Sequence, residues 1–165
     1  MSLFIGTKVV NAVPMNRADY NTFRDWDLPD DENGEDFGYL VEYLDGGKPN
    51  IVEYSGYVSW SPLEVFDNAY KSLNALTFGD AIHFAKQGAK IARAGWNGSG
   101  MYALIMPGYP EGVLANEATA KVHGVEIGSI IKIQPYWVIV NSQGEVSTWA
   151  PSSSDSLAED WYILE

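Results

Sequence analysis

Residues 76–102 read LTFGDAIHFAKQGAKIARAGWNGSGMY and residues 135–161 read PYWVIVNSQGEVSTWAPSSSDSLAEDW. In the first block Thr77 precedes an apolar stripe of Phe78, Ala81, Ile82 and Ala85 at helical spacing, and Asp80 stands three residues on, as a capping box requires. Gly88 follows where a helix-ending glycine belongs. KIARA (90–94) and MYALIMP (101–107) then predict two strands joined by the glycine-rich turn 95–100. IIKIQPYWVIV (130–140) and GEVSTWA (144–150) predict a hairpin around 141–144, and WYILE (161–165) a closing strand. Between these blocks, 108–128 reads as a long loop, a feature that compact domains often reserve for function or mobility. Strands joined by tight turns, with short helices among them, predict an α+β fold in which helices pack on an antiparallel sheet.

Upstream, residues 3–13 (LFIGTKVVNAV) are β-prone and end at Pro14. Asn16 is an N-cap candidate with Asp19 three residues on, followed by Tyr20 and Phe23 at helical spacing. Residues 27–37 (DLPDDENGEDF) form a solvated acidic loop; the regular ligand spacing of a calcium loop is absent from it. Residues 38–47 and 51–62 predict two strands around a turn at Asp45-Gly46-Gly47, and Pro62 opens an amphipathic helix carrying Leu63, Phe66 and Tyr70. The best boundary falls at 74–76, giving two small units, 1–75 and 76–165. No internal repeat or low-complexity tract interrupts either.

The 165 residues include 46% hydrophobic and 13% aromatic residues, enough for a core. There is no Cys, which removes disulfides, thiolate metal sites and Cys nucleophiles from consideration and fits a reducing compartment. No apolar run approaches the ~18 residues that span a bilayer, and the N-terminus lacks a basic leader with an apolar core, so no membrane association or export is expected. The net charge of −12 divides into −8 for residues 1–75 (5 basic, 13 acidic) and −4 for 76–165 (5 basic, 9 acidic). Nucleic-acid polymers are held largely by Lys and Arg that displace counterions, so this balance argues against DNA or RNA. It argues less against a small nucleotide, whose two phosphates need only a few N–H groups and an Arg.

The Thr-Phe-Gly-Asp helix start, Ala-Arg-Ala-Gly-Trp-Asn-Gly (92–98), the Pro-Tyr-led strand, the Gly hairpin and Leu-Ala-Glu-Asp-Trp (157–161) together resemble the second described family of phage anti-Thoeris sponges. The resemblance covers the last 90 or so residues. It implies binding and sequestration, without cleavage, of glycocyclic ADP-ribose, with cyclic di- or trinucleotides of the CBASS defence as alternative or additional ligands. It further implies a homotetramer or dimer with ligand sites at subunit interfaces, no cofactor, and action in the cytoplasm of the infected bacterial host. The order GYLVEY, GYVSWSP, VFDNAY in residues 38–70 is similar to a segment recurring in phage proteins, with no established activity.

Trp96 stands in a glycine-rich turn with no helical or strand stripe to join, so it either lids the local core or stacks on a purine face; the resemblance favours stacking. Trp149 leaves a strand into Ala150-Pro151-Ser152-Ser153-Ser154-Asp155, which reads as a helical start suited to an anion or capped by its own Ser and Asp side chains. Asp155 is alternatively an acceptor for ribose hydroxyls. Arg93 is a two-pronged phosphate ligand or an ordinary surface residue, and Asn97 a turn former or a polar contact. The candidate ligand set is thus Arg93, Trp96, Asn97, Met101, Trp149, Ala150, Ser152, Ser154 and Asp155. Trp161, Trp26 and Trp60 are expected in cores. His83, in a predicted helix, and His123, in the long loop, lack any metal-ligand spacing.

Catalysis would need a nucleophile with its base, or two carboxylates across a cleft, and no P-loop, G-x-S-x-G or G-x-G-x-x-G is present. The competing reading, a virion or protein-interaction component, draws on the acidic, Tyr- and Trp-rich N-terminal unit.

Overall fold

A computed structural model describes residues 1–164. The chain forms two compact units, Met1–Lys71 and a second beginning at Ser72. Both are α+β with antiparallel sheets.

In the first unit, β1 (Val10–Pro14), β2 (Gly38–Tyr43) and β3 (Tyr57–Pro62) form a sheet in that order. Between β1 and β2 lies α1 (Arg17–Phe23), whose N-cap Asn16 accepts the Asp19 N–H at 2.7 Å, as its sequence predicts. Tyr20, Leu40 and Val58 make the buried centre, with Trp60 packed against it. Trp26 is 53% exposed and stacks instead with Arg24, 4.2 Å from its ring, so the expectation of a core position fails there. The β-prone run 3–13 yields a strand only from Val10, because β2 ends at Tyr43 and offers no further ladder. The turn expected at 45–47 is instead a segment spanning 44–56. Pro49 in it has no N–H for a ladder, and Asn50 folds inward to bond both the N–H and the C=O of Val58 at 2.8 Å. Pro62 ends β3 and serves as N-cap of α2 (Leu63–Ala69), so the helix begins one residue later than the expected start at Pro62.

The second unit runs α3 (Phe78–Ala85), β4 (Lys90–Arg93), β5 (Tyr102–Met106), β6 (Tyr109–Leu114), α4 (Glu117–His123), β7 (Ile130–Ile133), β8 (Tyr136–Val140), β9 (Val146–Thr148), α5 (Ser153–Ser156) and β10 (Trp161–Leu164). Five of these strands form one sheet in the order β10-β4-β5-β8-β9, all antiparallel. Leu76, Ala81, Ala85, Ile91, Ala103 and Trp161 are its buried core. Thr77 and Asp80 close the capping box of α3 from both sides. Small Ala81 and Ala85 let that helix lie close to β4 and β10. The closing strand occupies 161–164; Glu165 lies outside the described residues.

Residues 108–128 are not a loop. β6 pairs with β7 as a separate two-stranded ladder, and α4 bridges them. Asn116 caps α4 by accepting the Thr119 N–H, and Gly124 ends it in the left-handed conformation (φ 65°). His123 therefore belongs to a helix. The predicted continuous strand 130–140 is broken at Gln134-Pro135 into β7 and β8, which lie in different sheets.

Candidate functional site

β4 ends at Arg93 and the chain turns through 94–101 before β5 begins. Ala94 and Gly95 are held to the start of β10: the Ala94 N–H donates to the Asp160 carbonyl at 3.1 Å, and the Gly95 N–H to Asp160 Oδ2 at 2.7 Å. A side chain at Gly95 would put its Cβ 2.8 Å from that carboxylate oxygen, so any larger residue there would have to displace the Asp160 carboxylate. The turn delivers Trp96, half-buried, into a cluster of aromatic rings. Its indole meets Trp149 edge-on at 6.0 Å and Trp161 at 5.4 Å between centroids. Trp149 in turn meets Trp137 edge-on at 5.6 Å, and Phe78 packs against Trp137, Trp149 and Trp161. Trp161 is fully buried beneath them, as its sequence position predicts. Trp96, Trp137 and Trp149 are each only partly covered, so Trp161 is the floor and the other three rings form the rim.

Asp155 ties this rim together. Only 8% exposed, its Oδ1 accepts Arg93 Nη1 at 2.8 Å and the Trp96 indole N–H at 3.1 Å, while its Oδ2 accepts the Ser152 N–H and hydroxyl. The Ser152 hydroxyl accepts the Asp155 N–H, which makes Ser152 the N-cap of α5 in a reciprocal capping box. The Trp161 indole donates to the Asp155 carbonyl from below at 3.0 Å. Burial pushes the Asp155 carboxyl up, but hydrogen bonds from Ser152, Arg93 and Trp96 outweigh it and leave the group at about 2. Arg93 Nε also bonds Asp160 Oδ1 at 2.8 Å, and Asp160 is held below the usual carboxylate range chiefly by that guanidinium. One Arg thus links two carboxylates, and the trio carries a net charge of −1.

These contacts sort the sequence candidates. Arg93, Trp96, Trp149, Ser152 and Asp155 come together around α5. The Arg93 guanidinium is engaged by two carboxylates, and Asp155 receives four donors, so in this state both act as supports for the rim. The start of α5 is already closed by its own capping box, the Ser152 hydroxyl taking the Asp155 N–H and the Asp155 carboxylate the Ser152 N–H, and the Ser154 hydroxyl lies 2.8 Å from that of Ser152. Asn97 and Ala150 are exposed, and Met101 folds over Gly98, with its Sδ 2.2 Å from where a Cβ there would stand. Sequence reading missed Trp137 and Asp160. The signal for Trp137 was its alternation with Val138 in β8, which sends its ring to the face opposite the buried valine. Asp160 lay inside the Leu-Ala-Glu-Asp-Trp run and is set apart only by its contact with Gly95.

Elsewhere the chemistry is sparser. A depression of about 340 Å³ on the first unit is lined by Arg17, Glu32, Asp36, Trp60 and Pro62, but Arg17 is paired with Glu32 and stacked on Trp60 at 5.0 Å. Among the described residues no group of three or more His, Asp or Glu side chains could hold a metal ion, and no helix is long and apolar enough to cross a membrane. His83 is hydrogen-bonded to Gln87 on the surface of α3.

Fold and site together define a small α+β module presenting tryptophan rings and hydroxyls along one rim. The model of the Thoeris anti-defense 2-like domain (Tad2-like) matches residues 76–164, more than half of the chain. The chain is also similar to Thoeris anti-defense 2 of Bacillus phage SP01, with 30% identity over 92 residues that cover 54% of this chain and 94% of the relative. The chain belongs to the Tad2-like family.

Proposed function

We propose that this protein is a phage anti-defence sponge: its Tad2-like unit binds a cyclic ADP-ribose-type signal, glycocyclic ADP-ribose, and withholds it without cleavage, so that the Thoeris effector is not activated. The name of the phage SP01 relative supports the anti-Thoeris role. The observation that carries the ligand class is the Trp96–Trp149 pair, two part-exposed rings at 83° to one another, one of them fixed by a hydrogen bond to Asp155. Rings set at that angle offer a stacking face and an edge to one bound base, and each base–aromatic stack is worth about 1–3 kcal/mol. Asn97, Met101, Ala150 and Ser154 lie in the segments beside these rings and supply the polar and apolar contacts around them. Arg93 and Asp155 belong to the same site as the groups that orient it.

The reading is non-catalytic. The most perturbed carboxyl, Asp155, is held ionised and saturated with donors, which suits neither a general acid nor a free nucleophile at neutral pH. A homotetramer or dimer is part of the proposal. Leu114, Val122, Ile127 and Ile130 around β6, α4 and β7 are 66–84% exposed, an apolar surface suited to a subunit contact.

The test is to incubate the purified protein with glycocyclic ADP-ribose, denature it by heat and weigh the released nucleotide by mass spectrometry. Intact ligand in stoichiometric amount is expected, and a released fragment would make the protein an enzyme. Release of nothing, with binding of a cyclic di- or trinucleotide instead, would redirect the proposal to CBASS signals.

A further inference from the structure

The turn 94–101 contains Gly95, Gly98 and Gly100, and a chain segment so rich in glycine does not hold a large ring in one orientation by its own backbone preferences. Beyond two long backbone bonds of its own, from the Trp96 N–H to the Arg93 carbonyl at 3.3 Å and from the Met101 N–H to the Gly98 carbonyl at 3.5 Å, its ordering comes from outside. Asp160 makes three of the contacts that fix the turn: its carbonyl takes the Ala94 N–H, Oδ2 takes the Gly95 N–H at 2.7 Å, and Oδ1 takes Arg93 Nε at 2.8 Å. Arg93 then passes the constraint to Asp155 at 2.8 Å, the residue that receives the Trp96 indole N–H. The base of the turn and its tryptophan are therefore clamped by one chain of charge-assisted hydrogen bonds, Gly95–Asp160–Arg93–Asp155–Trp96.

Asp160 and Asp155 share these contacts unequally. Asp155 also caps α5 and is buried, so its loss would disturb local folding as well. Asp160 is about one-third exposed at the side chain and caps nothing. Its side-chain contacts are confined to the turn and the guanidinium, so its removal isolates the clamp from the fold.

We propose that Asp160 is a positioning residue: through Gly95 and Arg93 it sets the orientation of Trp96 and thereby the affinity of the ring pair for its nucleotide. This rests on the sponge reading above. Asp160→Asn keeps the volume of the side chain but sets a donor against either the Gly95 N–H or the Arg93 guanidinium. Gly95→Ala reaches the same clamp from the other side, by forcing a Cβ onto the carboxylate.

The test is a double-mutant cycle read by titration with glycocyclic ADP-ribose, with near-ultraviolet circular dichroism reporting the packing of the tryptophans. Asp160→Asn and Gly95→Ala are each expected to weaken binding about tenfold or more and to alter the tryptophan signal, with far-ultraviolet spectra unchanged. On the Trp96→Ala background, Asp160→Asn should cost little further, because the residue acts through that ring. Undiminished affinity in Asp160→Asn, or a loss that adds in full to that of Trp96→Ala, would overturn the positioning role. Failure of the sponge reading has a separate signature, the absence of heat when glycocyclic ADP-ribose is titrated into the parent protein itself.

Discussion

Glu42 in the first unit and Asp155 in the second are each 8% exposed, yet they are satisfied by different kinds of donor. Glu42 accepts the Asn11 amide at 3.0 Å and the N–H groups of Gly56 and Ser55, all neutral, and those bonds lower its pKa. They pin β1 and the segment before β3 onto β2, and no aromatic side chain or cation takes part. Asp155 is bonded to a guanidinium, an indole and a helix start, beside the cluster of five aromatic side chains formed by Phe78, Trp96, Trp137, Trp149 and Trp161. A buried carboxylate bonded to backbone is accounted for by its own sheet. One bonded to an arginine and a half-exposed tryptophan orders a surface that could receive something else.

This contrast can be broken by substitution. Asp155→Ala should have the largest effect, leaving Arg93 short of a partner, Trp96 without its anchor and α5 without its capping box. Loss of roughly 2–3 kcal/mol is expected in the unfolding of the second unit, followed by denaturant titration, together with loss of nucleotide binding. Glu42→Gln should lower the unfolding midpoint of the first unit and leave nucleotide affinity as it was; a weakened affinity would mean that the two carboxylates are not functionally distinct. Trp96→Phe sharpens the comparison, since it keeps a ring but deletes the bond to Asp155. It should cost about 1 kcal/mol in binding by calorimetry, less than Trp96→Ala.

Acid provides a second handle. The folded-state value of Asp155, about 2, lies below its ordinary 3.8, so its contribution to stability is present above pH 4 and is lost as pH falls toward 2. The second unit should therefore hold its tryptophan circular dichroism signal at pH 5 and lose it progressively between about 4 and 2. Asp155→Asn should flatten that part of the profile. The smallest effect is expected at Gly124, whose positive φ ends α4: Gly124→Ala should destabilise by about 1 kcal/mol without touching binding.

Local signals in the sequence were read well where one residue determines one contact. Thr77 with Asp80, and Asn16 with Asp19, specify caps within four residues, and both caps form. The α+β character followed from strand runs and short amphipathic stripes. Two things were missed for different reasons. The β6–α4–β7 segment was legible in principle, through Asn116, Ala120 and Gly124, but its glycines and exposed side chains mask the pattern that burial gives to the other elements. Asp160 was not legible, because its importance comes from a contact 65 residues away with the backbone of Gly95. The sequence marks Arg93 and Asp155 as ligand candidates. The sequence could not reveal that they are partners of each other, since 62 residues separate them and only the pairing of β4 with β10 brings them together.

The most direct test of the central claim is a calorimetric titration of glycocyclic ADP-ribose into the parent protein and into Trp149→Ala, side by side. Sequestration of a signal below its receptor's threshold calls for sub-micromolar binding, more than about 8 kcal/mol, and loss of one face of the ring pair should weaken it at least about tenfold. Equal affinities would remove the ring pair from the site, and the absence of heat in both titrations would contradict the account altogether.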